Sequence, residues 1–282
     1  MTVQRHLVVR GTPVHLLTEG SGPALLFLHG AGGAGRWLEF QTALARRFTV
    51  QMPNHPGHGG SPAAEWIEHI SDLAFHYLDL LDDLGLERVH LVGASFGGWI
   101  GAEIAVMASH RLRSLVLIDP VGIKVDGWIY PFLFGMEPGE IMATVFHKPE
   151  AALALAPPDQ SIDTLAELYR QNAALARVAW NPYLYNPLLR RRLPRITAPT
   201  LLCWGLSFED LEDGGYIIVG SPATVRDKLK VFADELRAGI VCSGMNGGSH
   251  EKTLEMMELF AREVMPHFRE DAHVDETAGV GR

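Results

Sequence analysis

Short apolar runs alternate with stretches of helical periodicity along the first two-thirds of the chain. "VQRHLVVR" and "PVHLLTE", separated by a turn at Gly11-Thr12, alternate apolar and polar positions and predict a hairpin of two half-buried strands. The run Ala24 to His29 ("ALLFLH") is a short continuous apolar stretch instead, and Arg88 to Gly93 ("RVHLVG"), Leu112 to Asp119 ("LRSLVLID") and Pro199 to Gly205 ("PTLLCWG") share its predominantly apolar character. That pattern predicts strands buried on both faces. Between them, Arg36 to Arg47, His69 to Leu84 and Phe96 to Ser109 carry helical spacing. Strands alternating with helices define an α/β fold, with a mostly parallel twisted sheet and helices on both faces.

From Val121 to Leu193 this rhythm breaks. The segment is rich in Pro, Ala, Leu and aromatic residues, reads as short helices, and contains no convincing strand. It predicts an inserted helical cap at residues 121–193 over the carboxyl edge of the sheet. The core is then discontinuous, built from residues 1–120 and 194–268. Within its second part the pattern predicts a helix from Pro222 to Arg237, a strand from Gly239 to Ser243 and an amphipathic helix from Lys252 to Phe268. The polar ending at 269–282 is expected to be disordered.

Composition narrows the partners. Of the 282 residues, 47% are hydrophobic and 20% charged, as in an ordinary globular protein. A net charge of −9 argues against nucleic acid or an anionic membrane as the main partner and leaves a small molecule. The first residues lack the features of a secretory signal, and no apolar stretch is long enough to span a bilayer, so a cytoplasmic location is expected. Cys203 and Cys242 fall in strand-like runs and are expected to be buried thiols.

Candidate chemistry begins at "VGASFGG". Gly93-Ala94-Ser95-Phe96-Gly97 fits G-x-S-x-G between a predicted strand and a predicted helix. A turn that sharp tolerates only small neighbours, and it presents the Ser95 hydroxyl at the top of the sheet as a nucleophile. "LFLHGAGGAGRW" ends another strand at His29 and continues into a glycine-rich loop. Its Ala31 N–H, with that of Phe96, is expected to form an oxyanion hole. His55 and His58 in "PNHPGHGGSP" have no carboxylate or thiol at ligand spacing. They predict a surface loop and no metal site.

Taken in order, "FLHGAGG", "NHPGHGGS", "VGASFGG", "LVLIDPVG", a helical insert and "APTLLCWG" resemble the α/β-hydrolase fold family, from Val3 to Gly205. The flavour is that of capped carboxylesterases and of enzymes that cleave carbon–carbon bonds in ketone substrates. The resemblance implies a triad in the chain order serine, acid, histidine. The family's usual acid position, shortly after "LLCWG", holds Phe208 here. Asp210 is the favoured acid, with Glu209 and Asp119 as alternatives. His250, in a Gly/Asn loop between a strand-like run and a helix, is the candidate base. Trp128, Phe132 and Trp180, joined by Tyr130 and Phe134 and by His29, are expected to wall an apolar substrate pocket.

Residues Ser207 to Arg269 resemble a different source. "GYIIVGSPATVRDKL" and "ELFAREVMPHF" look like the ending of luciferase-like flavin-dependent monooxygenases, as though two genes had joined near Gly205. A flavin barrel needs more strands than this segment has, so no cofactor is expected. The reading is a serine hydrolase acting on a small apolar carbonyl compound, an ester or a carbon–carbon bond. A hydrolase-like binding protein with a broken triad is the alternative, and a flavin-related oxidoreductase a more distant one.

Overall fold

The computed structural model describes residues 2–32, 37–125, 127, 130–145 and 161–203. These lie within one unit, Met1–Trp204. The strands are β1 (Val3–Val9), β2 (Thr12–Glu19), β3 (Ala24–Leu28), β4 (Thr49–Pro53), β5 (Val89–Ala94), β6 (Leu112–Ile118) and β7 (Thr200–Cys203). The helices are α1 (Glu39–Ala45), α2 (Ile70–Asp83), α3 (Phe96–Ala108), α4 (Pro138–Val145), α5 (Ile162–Ala179) and the single turn α6 (Leu189–Arg192). No helix among the described residues is long and apolar enough to cross a membrane.

One seven-stranded sheet runs in the order β1-β2-β4-β3-β5-β6-β7. The hairpin β1–β2 joins β4 antiparallel, and every pairing from β4 to β7 is parallel. Alternation within a single strand explains how a continuous apolar run serves two layers. Leu26 and Leu28 of β3 face a core shared with α2 and α3, where Tyr77, Leu80, Trp99 and Ile104 pack. Leu25 and Phe27 of the same strand face the other core, with Val50, Met52 and Ala45. α3 is buried at every position except Met107, as a helix apolar all round must be.

β4 is a strand the hydrophobic pattern does not announce. Thr49 and Gln51 interrupt its apolar positions, and the fold satisfies them locally. Thr49 Oγ1 donates to the Gly22 carbonyl at 3.0 Å, and Thr18 Oγ1 donates to Gln51 Oε1 at 2.8 Å. The expected surface loop is also corrected. His55 and His58 are 0% and 1% exposed. Tertiary contacts draw the segment inward despite its Pro and Gly content. The insertion holds α4, α5 and α6, and its only pairing among the described residues is the isolated bridge Gly122–Tyr185. The expected elements beyond Gly205, the tail and Cys242 lie outside the described residues.

The junction of β5 with α3 leaves no room for side chains. A Cβ on Gly97 would sit 2.2 Å from the Leu28 carbonyl oxygen and 2.5 Å from that of His29. A Cβ on Gly93 would sit 2.4 Å from the Gly97 carbonyl oxygen. These obstacles are backbone and cannot swing aside. Gly97→Ala is therefore expected to lose more than about 3 kcal/mol of stability, read from denaturant midpoints. Gly32→Ala, where nothing lies within 4 Å of the added carbon, should unfold like the wild type.

Candidate functional site

Parallel strands deliver their carboxyl ends to one edge of the sheet, where ligands of open α/β sheets bind. β3 ends before His29-Gly30, β5 before Ser95 and β6 before Asp119. Ser95 has φ 51° and ψ −113°, a left-handed conformation that a residue with a Cβ rarely adopts. The surroundings impose it. The Ser95 N–H donates to the Ile118 carbonyl at 2.8 Å, and its own carbonyl accepts from Trp99 at 3.1 Å and Val121 at 3.4 Å. The side chain is half-buried. Gly30 runs beside it, with its ideal Cβ position 3.4 Å from Ser95 Cβ and 4.0 Å from Oγ. Ala31 follows, half-buried, and Phe96 begins α3 with its ring packed edge-on against His55 at 5.6 Å.

A group of neutral imidazoles supports that loop from below. His29 and His55 lie with ring centroids 3.8 Å apart, and His58 lies within 5.7 Å of both. His29 Nδ1 donates to the Gly30 carbonyl at 2.7 Å, and its Nε2 accepts the His55 backbone N–H at 3.1 Å. His55 Nε2 donates to the His29 carbonyl at 2.7 Å, so its Nδ1 is the acceptor for the Tyr77 hydroxyl. These bonds assign one tautomer to His29 and one to His55, and a second proton on His29 Nε2 would face the His55 backbone N–H. Burial, reinforced by the neighbouring His58, pushes His29 down to about 3. Burial, with His29 and His58 adding to it, holds His55 well below the usual imidazole range. His29 is 3% exposed, so neither nitrogen is left for a substrate. No group of three or more metal-binding side chains occurs among the described residues.

The aromatic residues of the insertion come together in part. Phe132 and Phe134 pack on Trp180 at 5.2 and 5.5 Å, and Tyr183, which sequence reasoning missed, packs on Phe132 at 5.3 Å. The Tyr183 hydroxyl accepts from the Leu133 N–H at 2.7 Å and donates to the Pro131 carbonyl at 2.9 Å. Phe132 and Trp180 keep exposed faces. Tyr130 is half-buried and donates to the Ile123 carbonyl at 2.9 Å. A separate cavity of about 570 Å³ lies between residues 56–67 and α5, with Glu167, Arg170 and Arg177 on its wall. Neither Ser95 nor the aromatic group lines it.

Asp119 follows β6 directly beside the serine, since Ala94 and Ile118 are register partners. It is exposed, has φ 43°, and its N–H donates to the Cys203 carbonyl at 2.8 Å. His250, Asp210, Glu209 and Trp128 lie outside the described residues.

A parallel sheet with a strained serine between a strand and a buried helix defines an α/β-hydrolase type of architecture. A sequence model of the alpha/beta hydrolase fold matches residues 23–140. A protein of Azorhizobium caulinodans named "Putative carbamate hydrolase RutD" is 31% identical over 205 residues, covering 68% of this chain and 72% of that one. The chain belongs to the alpha/beta hydrolase fold family. It is also 32% identical over 129 residues to the 2-hydroxy-6-oxo-2,4-heptadienoate hydrolase of Pseudomonas putida, covering 44% of this chain and 47% of the relative. Against several of the curated relatives it matches, the chain spans less than half of the relative's length. Among solved structures, the 2-hydroxy-6-oxo-6-phenylhexa-2,4-dienoate hydrolase of a Rhodococcus species matches with a TM-score of 0.57 at 19% identity. That match covers 95% of this chain and 99% of the other, and it speaks for the fold alone. The resemblance of the final segment to flavin monooxygenases gains no support from these relatives.

Proposed function

We propose that the chain is a serine hydrolase acting on a small, largely apolar carbonyl compound. The observation that carries this reading is the backbone of Ser95: a residue with a Cβ is held at positive φ, on the sheet's carboxyl edge, with Gly30 beside its side chain. Such strain persists where a surrounding structure enforces it, and it is concentrated at sites of chemistry. In this reading Ser95 Oγ attacks the carbonyl carbon. His250 takes the hydroxyl proton and returns one to the leaving group, while Asp210 fixes the imidazole tautomer. Glu209 and Asp119 remain the alternatives for that acid. The N–H groups of Phe96 and Ala31 stabilise the oxyanion, and residues 121–193 act as a cap whose Phe132 and Trp180, with Trp128, contact the apolar part of the substrate. Water then cleaves the acyl-enzyme and releases the acid.

The relatives' names, a carbamate hydrolase and a carbon–carbon bond hydrolase, support a hydrolytic reaction without choosing the bond. A fluorophosphonate probe tests the serine reading. The expected result is one covalent adduct, located at Ser95 by mass spectrometry and formed at least about 10³-fold more slowly in His250→Ala. An unlabelled wild-type protein leaves a hydrolase-like binding shell, as the displaced acid position at Phe208 would produce. Equal labelling in His250→Ala removes that histidine from the mechanism.

A further inference from the structure

Two turns beyond Ser95, α3 carries a carboxyl group that the proposed chemistry does not use. Glu103 is 0% exposed. Its Oε1 accepts from Trp99 Nε1 at 3.2 Å and from Asn186 Nδ2 at 2.7 Å. Its Oε2 is buried with no hydrogen-bond partner among the described residues. A leucine or methionine would remove the unsatisfied oxygen but leave the Trp99 and Asn186 donors without their acceptor. What the carboxyl group supplies instead is a directed bond to Asn186.

Asn186 belongs to the return of the insertion, and it ties that return to the insertion's start. The Asn186 N–H donates to the Gly122 carbonyl at 2.9 Å, and the Gly122 N–H donates to the Leu184 carbonyl at 3.0 Å. Asn186 Oδ1 accepts from the Leu188 N–H at 2.9 Å. Gly122 has φ +116°, and its ideal Cβ would meet Trp99 Cδ1 at 2.4 Å, so the indole that bonds Glu103 also packs flat against this backbone. One residue earlier, the Val121 N–H reaches the Ser95 carbonyl at 3.4 Å. Both ends of the insertion therefore meet on α3, within reach of the serine's own backbone.

We infer that Glu103 is a positioning residue: through Asn186 it locks the base of the insertion to the helix that starts at Ser95, and so sets which acyl groups reach the serine. The locking follows from the hydrogen bonds above. The consequence for substrate choice rests on the proposed nucleophilic role of Ser95.

Glu103→Leu and Glu103→Gln test the inference, since the glutamine keeps an acceptor for both donors. Amide hydrogen exchange in residues 121–123 and 184–188 is expected to accelerate about tenfold or more in Glu103→Leu and to return toward wild type in Glu103→Gln. With p-nitrophenyl hexanoate, Glu103→Leu is expected to raise KM about tenfold. KM for the acetate ester should move less than about threefold, and the glutamine variant should restore the difference. A general loss of stability would raise both KM values together and would not be rescued. Should Glu103→Leu fail to fold, Asn186→Ala removes the same bond from the other side and must give the same exchange pattern. Unchanged exchange in a folded variant overturns the lock, whatever the enzyme does. Faster exchange with unchanged KM for both esters overturns the link to substrate choice. If the wild type turns over neither ester, the serine reading and the link to substrate fail together, while exchange still decides the lock.

Discussion

Ser95→Ala is expected to lower kcat for p-nitrophenyl esters by about 10⁴-fold or more while leaving the melting temperature within about 2 °C of wild type. The asymmetry comes from what the side chain does and does not touch. Its hydroxyl makes no hydrogen bond to the described residues, so the truncation strands no partner among them. The backbone bonds to Ile118, Trp99 and Val121 are indifferent to the side chain. Alanine keeps the Cβ and with it the strain of φ 51°. Ser95→Gly removes that strain as well as the hydroxyl and is expected to gain about 1 kcal/mol over Ser95→Ala, despite the extra freedom of glycine in the unfolded chain. Calorimetry of the two variants side by side measures the difference. A glycine variant no more stable than the alanine variant would show an unstrained bend, and an active Ser95→Ala would remove the serine from the chemistry.

That bend was the most legible part of the molecule because its steric demands are written into the residues themselves. Gly93 and Gly97 stand against backbone carbonyls, so small residues there follow from geometry. The central strands were legible for a related reason: β3 is apolar at every position, and β5 carries one polar side chain, the half-buried His90, which bonds Ser114. β4 escaped because Gln51 and Thr49 find partners in Thr18 and Gly22, positions that only tertiary pairing brings near. His55 and His58 escaped for the same reason. Proline and glycine suggest exposure, but the Tyr77 hydroxyl and the His29 carbonyl, both more than twenty positions away in sequence, satisfy His55 in the interior. Nothing in the sequence around Glu103 points to Asn186, so that pairing was not legible. His250 and Asp210 stay where sequence reasoning put them, as proposals.

The buried imidazoles make acid the condition under which this fold should fail. In the unfolded chain each titrates near 6.5, whereas in the fold burial pushes His29 down to about 3 and His76 to about 4. Burial also holds His55 and His58 below the ordinary range. The folded values are depressed, so these groups leave stability untouched above pH 6.5. As pH falls below 6.5 the unfolded chain gains protons that the fold refuses, and stability drops until the folded values are reached. Each fully mismatched histidine contributes a slope of about 1.4 kcal/mol per pH unit. At pH 5, His29 and His76 each cost about 2 kcal/mol, a large part of the roughly 5–15 kcal/mol that holds a typical domain together. Urea unfolding is expected to give a free energy level from pH 8 to pH 7 that then falls by about 4 kcal/mol or more by pH 5. His76 offers a useful control, since its Nε2 is buried without a partner among the described residues and its ring packs against Trp66 and Tyr77. His76→Leu should flatten the decline between pH 6.5 and pH 5 by about 2 kcal/mol, the share of one histidine. A wild-type stability unchanged down to pH 5 would mean that water or a rearranged loop accepts those protons, and that the tautomers assigned to His29 and His55 are not held.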